Sequence, residues 1–157
     1  MKNKKQFAVL GLGRFGQAVV KTLTENGYDV LCCDKNPDLI NQMASYATDV
    51  IQADISDEGA LKEMGLNNYD VVIIATGDSL ESAVMATMAA KEMGVGMVIS
   101  KAKDVKQSNI LYKVGADKVV LPERDMGRRL ATSLITSNIL EFISFSDSYG
   151  IVEVAPK

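Results

Sequence analysis

The stretch FAVLGLGRFGQAVVKTL, residues 7–23, decides how the chain folds. An apolar run ends on three glycines, Gly11, Gly13 and Gly16, and an amphipathic run follows. The glycines are spaced as G-x-G-x-x-G, and each meets a different requirement. Gly11 permits a tight turn, Gly13 lets the backbone approach a phosphate, and Gly16 lets a helix pack closely on a strand. The free N–H groups at the helix start then face an anion, aided by the helix dipole. The same glycines also suit close packing with no ligand, so the surrounding residues must separate the two readings.

They favour a nucleotide. A second strand-like run, VLCCD, ends on Asp34, 18 residues past Gly16, where a carboxylate accepts from ribose hydroxyls. Such an acid repels a 2′-phosphate and disfavours NADP, although the neighbouring Lys35 weakens that preference. Arg14 lies inside the turn, where its guanidinium reaches a terminal phosphate or pyrophosphate. A merely solvated charge is the alternative, and a cation at a helix N-terminus is mildly unfavourable. Leu12 and Phe15 complete the turn and offer its backbone.

Outward from this turn, short apolar runs alternate with helix-like segments. Strands are expected near 6–10, 29–34, 49–52, 70–75, 97–101 and 117–121, with helices near 14–26, 36–45, 57–65, 79–94 and 104–114. Runs such as VVIIA, MVIS and KVVL are continuously apolar, as in a parallel sheet covered on both faces. Gly27, Gly65, Gly94 and Gly115 each follow a helical pattern where a left-handed cap belongs. The pattern is that of a Rossmann-type α/β fold, a doubly wound parallel six-stranded sheet in the order 3-2-1-4-5-6. The nucleotide-binding domain is expected over 1–123 and a long crossover and dimerisation helix over 124–145. Apolar residues on that helix, among them Met126, Leu130, Leu134, Ile139 and Phe142, cover more than one face and ask for a second partner. Residues 146–157 turn and begin a further strand with nothing to pair with, so the chain reads as a piece cut at a linker to another domain.

With 157 residues, 47% apolar and 24% charged, the chain suffices for one well-filled core. A net charge of −3 gives no general attraction to nucleic acid. No apolar run approaches the ~18 residues needed to cross a bilayer, and no signal core follows the N-terminal lysines, which reads as a cytoplasmic protein. The adjacent Cys32 and Cys33 point to opposite faces of a strand and suit burial better than a bridge. The sequence has no His, which removes the commonest general base and metal ligand.

Ligands of this fold sit at the carboxyl ends of the strands, which supplies further candidates. Asp54 and Ile55 follow the third strand and border an adenine. Ala75, Thr76 and Gly77 follow the fourth, where small residues let a nucleotide lie close. Lys101 and Lys103 follow the fifth, and Glu123 with Arg124 follows the sixth. A triphosphate near Glu123 calls for a divalent cation, and Glu123 is the candidate to hold it. Each of these charges, taken alone, also suits a solvated surface.

The order of FAVLGLGRFG, VLCCDKNPDLIN, VVIIATGDSLESAVMATMAAKEMGV, SKAKD and KVGADKVVLPERDMGRRLA resembles the RCK (KTN, or TrkA-N) nucleotide-binding domains, most of all those of KtrA-type and KtrC-type subunits. These are cytosolic regulatory subunits of Ktr and Trk potassium transport systems. The resemblance implies a domain that binds ATP, ADP or NAD(H) without turning it over. It implies a homodimer built through the crossover helix and assembled into a ring, commonly an octamer, on a membrane-embedded potassium transporter subunit. That places the protein at the inner face of the cell membrane, with no insertion of its own. The family's phosphate-contacting Arg matches Arg14, its ribose acid Asp34 and its interface carboxylate Glu123. The competing reading is the cofactor domain of an NAD-dependent oxidoreductase, with Lys101 or Lys103 as acid/base. A third is a nucleotide-binding scaffold of another assembly, and fold alone does not separate the three.

Overall fold

The computed structural model describes residues 4–77 and 79–136. Strands β1 (Phe7–Leu10), β2 (Val30–Asp34), β3 (Asp49–Gln52), β4 (Val71–Ile74), β5 (Met97–Lys101) and β6 (Lys118–Val120) form one sheet in the order β3-β2-β1-β4-β5-β6. Every pairing is parallel, with Val9 beside Cys32 on one side and Ile73 on the other. This is the doubly wound arrangement expected from the sequence. The helices between the strands are α1 (Arg14–Glu25), α2 (Pro37–Met43), α3 (Glu58–Met64), α4 (Leu80–Glu92) and α5 (Val105–Lys113), and a single 3-10 turn (Leu66–Asn68) follows α3.

Alternation along the strands builds two cores. Val9, Val30, Cys32, Val71 and Ile73 face one way and pack with Val20 of α1 and with Ile40 and Met43 of α2. Ala8, Leu10, Leu31, Cys33, Val72 and Ile74 face the other way and pack with Leu61 of α3, Leu111 of α5 and the alanines of α4. The central strands are therefore apolar at every position, which explains their unbroken runs. Cys32 and Cys33 fall into different cores, and burial pushes both thiols up to about 12. Helix α4 packs through Ala83, Ala86, Ala89 and Ala90, and its buried Thr87 hydroxyl lies 2.7 Å from that of Ser100 on β5. The small residues bring the helix close to the sheet, and the hydroxyl pair satisfies both polar groups inside it.

Local chemistry sets the helix boundaries. Asn36, Asp57, Ser79 and Asp104 each cap a helix by accepting from a backbone N–H near its start. Gly65 ends α3 in the left-handed region at φ 69°. Asp117 accepts from Val98 N–H at 2.7 Å and pairs with Lys91 at 3.0 Å, and these hold its carboxyl below the usual range. The chain divides into two units, Met1–Leu121 and Pro122–Lys157. The second begins with α6 (Pro122–Ile135), on which Leu130, Leu134 and Ile135 are exposed. The expected stripe residues Ile139 and Phe142, and the expected linker over 146–157, lie outside the described residues.

A Cβ placed on Gly16 would lie 2.1 Å from the Gly11 carbonyl oxygen, whereas one on Gly13 would meet nothing within 4 Å. Gly16→Ala should lower stability by about 3 kcal/mol or prevent folding, since backbone must move to admit it. Gly13→Ala should cost less than ~1 kcal/mol. Urea unfolding of the two variants checks the contrast. Both native thiols should resist a thiol-reactive dye at pH 8 and react at once in denaturant.

Candidate functional site

The glycine turn hangs between its two neighbouring strands. Gly11 N–H donates to the Cys33 carbonyl at 2.8 Å, and the Leu10 carbonyl accepts from Ala75 N–H at 2.7 Å. Gly11 stands at φ 105°, and a Cβ there would lie 2.7 Å from Thr76 N. The turn, the end of β2 and the end of β4 thus meet with no room for a side chain at Gly11. Two residues on, Gly13 is exposed and is the N-cap of α1, with φ −72° and ψ −167°. No side chain caps it. The first N–H groups of a helix have no acceptor within the helix, so those of α1 are left to an outside partner.

Helix α1 differs here from its neighbours. Among the described α-helices it alone has neither a side-chain cap nor an acid in its first turn. It carries Arg14 instead, exposed and without an ion pair or hydrogen bond among the described residues. Open space over Gly13, free amides and a cation suit a phosphate group.

Asp34, at the end of β2, is half-buried beside the turn. One carboxylate oxygen accepts from Leu12 N–H at 2.8 Å and the other from Asn36 N–H at 2.9 Å. Each oxygen keeps a further lone pair, so ribose hydroxyls can still donate to it. Lys35 is exposed, and its carbonyl accepts from Gln52 Nε2 at 3.3 Å. Asp54 is exposed and accepts from both the hydroxyl (2.7 Å) and the N–H (2.9 Å) of Ser56. Those bonds, and more weakly Lys35, hold its carboxyl below the usual range.

Several expected contacts offer only backbone. Leu12, Ile55 and Ala75 are buried, and their side chains belong to the two cores. Phe15 is half-buried against the α1 face of the sheet. Thr76 and Gly77 are half-buried and line a cleft of about 30 Å³ with Ser79, Lys101, Lys103 and Gln107. A Cβ on Gly77 would lie 2.9 Å from Lys101 Nζ, so the ammonium sits directly over that glycine. Lys103 is exposed, and its N–H donates to Gln107 Oε1 at 3.2 Å.

Glu123 is exposed in the first turn of α6 with Asp125, which pairs with Arg124 at 3.3 Å. It belongs to the second unit. Among the described residues no group of three or more Cys, Asp or Glu side chains could hold a metal ion. No described helix is long and apolar enough to cross a membrane. The turn, Asp34, Ala75 and Thr76 are brought to one place, and Thr76 also lines the cleft formed with Gly77 and Lys101. Sequence reading missed Gln17, whose Nε2 donates to the Leu12 carbonyl at 2.9 Å. Its only signal was its position, the first residue after the motif.

Comparison with known proteins places the chain in a family. The profile of the TrkA-N domain matches residues 7–122. The Ktr system potassium uptake protein C of Bacillus subtilis is 39% identical over 96% of this chain and 68% of its own length. The Ktr system potassium uptake protein A of Vibrio alginolyticus is 42% identical over 95% of this chain and 68% of its own. Among solved structures, the TrkA-N domain of the Escherichia coli inner membrane protein ybaL superimposes with a TM-score of 0.74 at 15% identity, covering 85% of this chain and 99% of that one. The GsuK channel bound to NAD gives 0.72 at 16% identity, over 82% of this chain and 23% of that one. With nearly the whole Rossmann unit matched and two relatives near 40% identity, the chain belongs to the TrkA-N domain family.

Proposed function

We propose that this chain is the ligand-sensing domain of a Ktr-type potassium uptake system, which binds an adenine nucleotide at the glycine turn and turns over none. The observation that carries this reading is the open, uncapped start of α1 at Gly13, in a chain whose relatives are named potassium uptake proteins. Gly11, Gly13, Arg14 and Gly16 hold phosphates, Asp34 holds the ribose, and the backbone of Ala75 and Thr76 borders the ligand. ATP, ADP, NAD and NADH all fit that description, and GsuK, with the same fold, has been solved with NAD and with ADP. A triphosphate carries the most charge, and Glu123 would help a divalent cation offset it.

Binding alone does not gate a transporter. A ligand shifts a two-state assembly only by its differential affinity for the two states. The proposed states are two angles between subunits paired through α6, whose exposed Leu130, Leu134 and Ile135 supply an apolar contact. Dimers close into a ring, an octamer in the full-length protein, at the cytosolic face of the membrane-embedded transporter subunit. Sensing requires no acid/base, and the chain has no His.

Calorimetry against ATP, ADP, NAD and NADH, side by side, tests the reading. Gly13→Val should abolish binding and leave the fold intact, and normal binding by that variant would place the site elsewhere. Arg14→Ala should weaken ATP about tenfold and ADP less, because only the distal phosphates reach it, whereas Asp34→Ala should weaken both alike. Turnover of ATP or NADH at even ~1 per second would make the protein an enzyme. By light scattering at micromolar concentration the chain should be at least a dimer, and Leu134→Asp with Ile135→Asp should reduce it to a monomer.

A further inference from the structure

The residue between the first two glycines is held from three sides. Leu12 N–H donates to Asp34 Oδ2 at 2.8 Å, and the Leu12 carbonyl accepts from Gln17 Nε2 at 2.9 Å. The Leu12 side chain is fully buried in the α1–α2 core. Both of its peptide groups and its side chain are therefore fixed, while the next residue, Gly13, has open space around it. Asp34 is fixed in turn, since its other oxygen accepts from Asn36 N–H.

We propose that Asp34 and Gln17 are positioning residues for phosphate binding, clamping Leu12 so that the Gly13 and Arg14 amides are presented to the ligand before it arrives. This rests on the nucleotide reading above and extends it. Asp34 then has two functions, one toward the ribose and one toward the turn. Gln17 has only the second, acting from the first turns of α1 through a carbonyl. The physical reason is entropic. A glycine-flanked peptide left free would have to be ordered by the ligand, and that ordering would be subtracted from affinity.

Two measurements on the whole chain decide the matter. The first needs no ligand. Amide hydrogen exchange at Leu12, whose N–H donates to Asp34, should speed up at least about tenfold in Asp34→Ala, with exchange in β1 and β4 unchanged. Unaltered Leu12 exchange would overturn the clamp whatever the protein binds. The second uses 2′,3′-dideoxy-ATP, which lacks the hydroxyls that Asp34 would otherwise receive. If Asp34 acts on ribose alone, Asp34→Ala and wild type will bind this analogue equally, and the proposal fails. If Asp34 also sets the turn, Asp34→Ala should lose about five- to tenfold. Gln17→Met should lose similar factors for ATP and for the dideoxy analogue. Failure of wild type to bind any of ATP, ADP, NAD and NADH would instead overturn the nucleotide reading, and with it the phosphate role of the clamp.

Discussion

The structure depends on one close approach, that of Gly16 to the carbonyl of Gly11. A single methyl group at Gly16 would overlap that oxygen at 2.1 Å. Because nothing separates them, α1 starts immediately beyond the end of β1 and lies tight against it. The direction of α1 is then set, and its unpaired N–H groups project past the carboxyl edge of the sheet. Gly11 makes the second such approach, to Thr76 after β4, so the turn is pressed between a helix and a neighbouring strand. The open helix start at this edge, proposed above to hold a phosphate, is a consequence of backbone packing that side chains at Gly11 and Gly16 would prevent.

The rest of the Rossmann unit holds that edge still. Two cores, one on each face, fix the strands in register, and the alanines of α4 bring the second layer close. Hydrogen bonds from Gly11 to Cys33 and from Ala75 to Leu10 carry the ladder beyond the strands and into the loops of the site. Rigid elements with short, bonded loops at one end suit the proposed discrimination of ligands by a phosphate, since misplacement of the amides by a fraction of an ångström would be felt.

Much of this was legible in the sequence because its signals are local. The strands show as unbroken apolar runs, the helix ends as Gly27, Gly65, Gly94 and Gly115, all of which take positive φ, and the turn as its three glycines. The strand order followed from handedness rules once six strands were counted. The cores were less legible where motif residues serve them: Ile55 and Ala75, read as ligand neighbours, keep their side chains inside and leave only backbone to a ligand. Gln17 was invisible because a glutamine on a helix looks solvated until its carbonyl partner, five residues earlier, is seen. Lys101 shows the same limit, since only the fold brings its ammonium over Gly77, 24 residues away in sequence.

Charge at the start of α1 is what the proposed sensing role would draw on. Other helices here quiet their N-terminal dipoles with Asp38, Glu58, Glu81 or the capping Asp104. Helix α1 has no such anion and adds Arg14, so the free protein concentrates positive potential where it is least favourable, at a cost of about 0.3–1 kcal/mol. An anion entering the turn relieves that cost, and the relief grows with the charge brought near Arg14. Under the proposed reading, two nucleotides that present the same adenosine to Asp34 would differ at the turn in the charge brought near Arg14. A difference of 1.4 kcal/mol there is a tenfold preference, which is of the size that shifts a balanced two-state assembly from one form to the other.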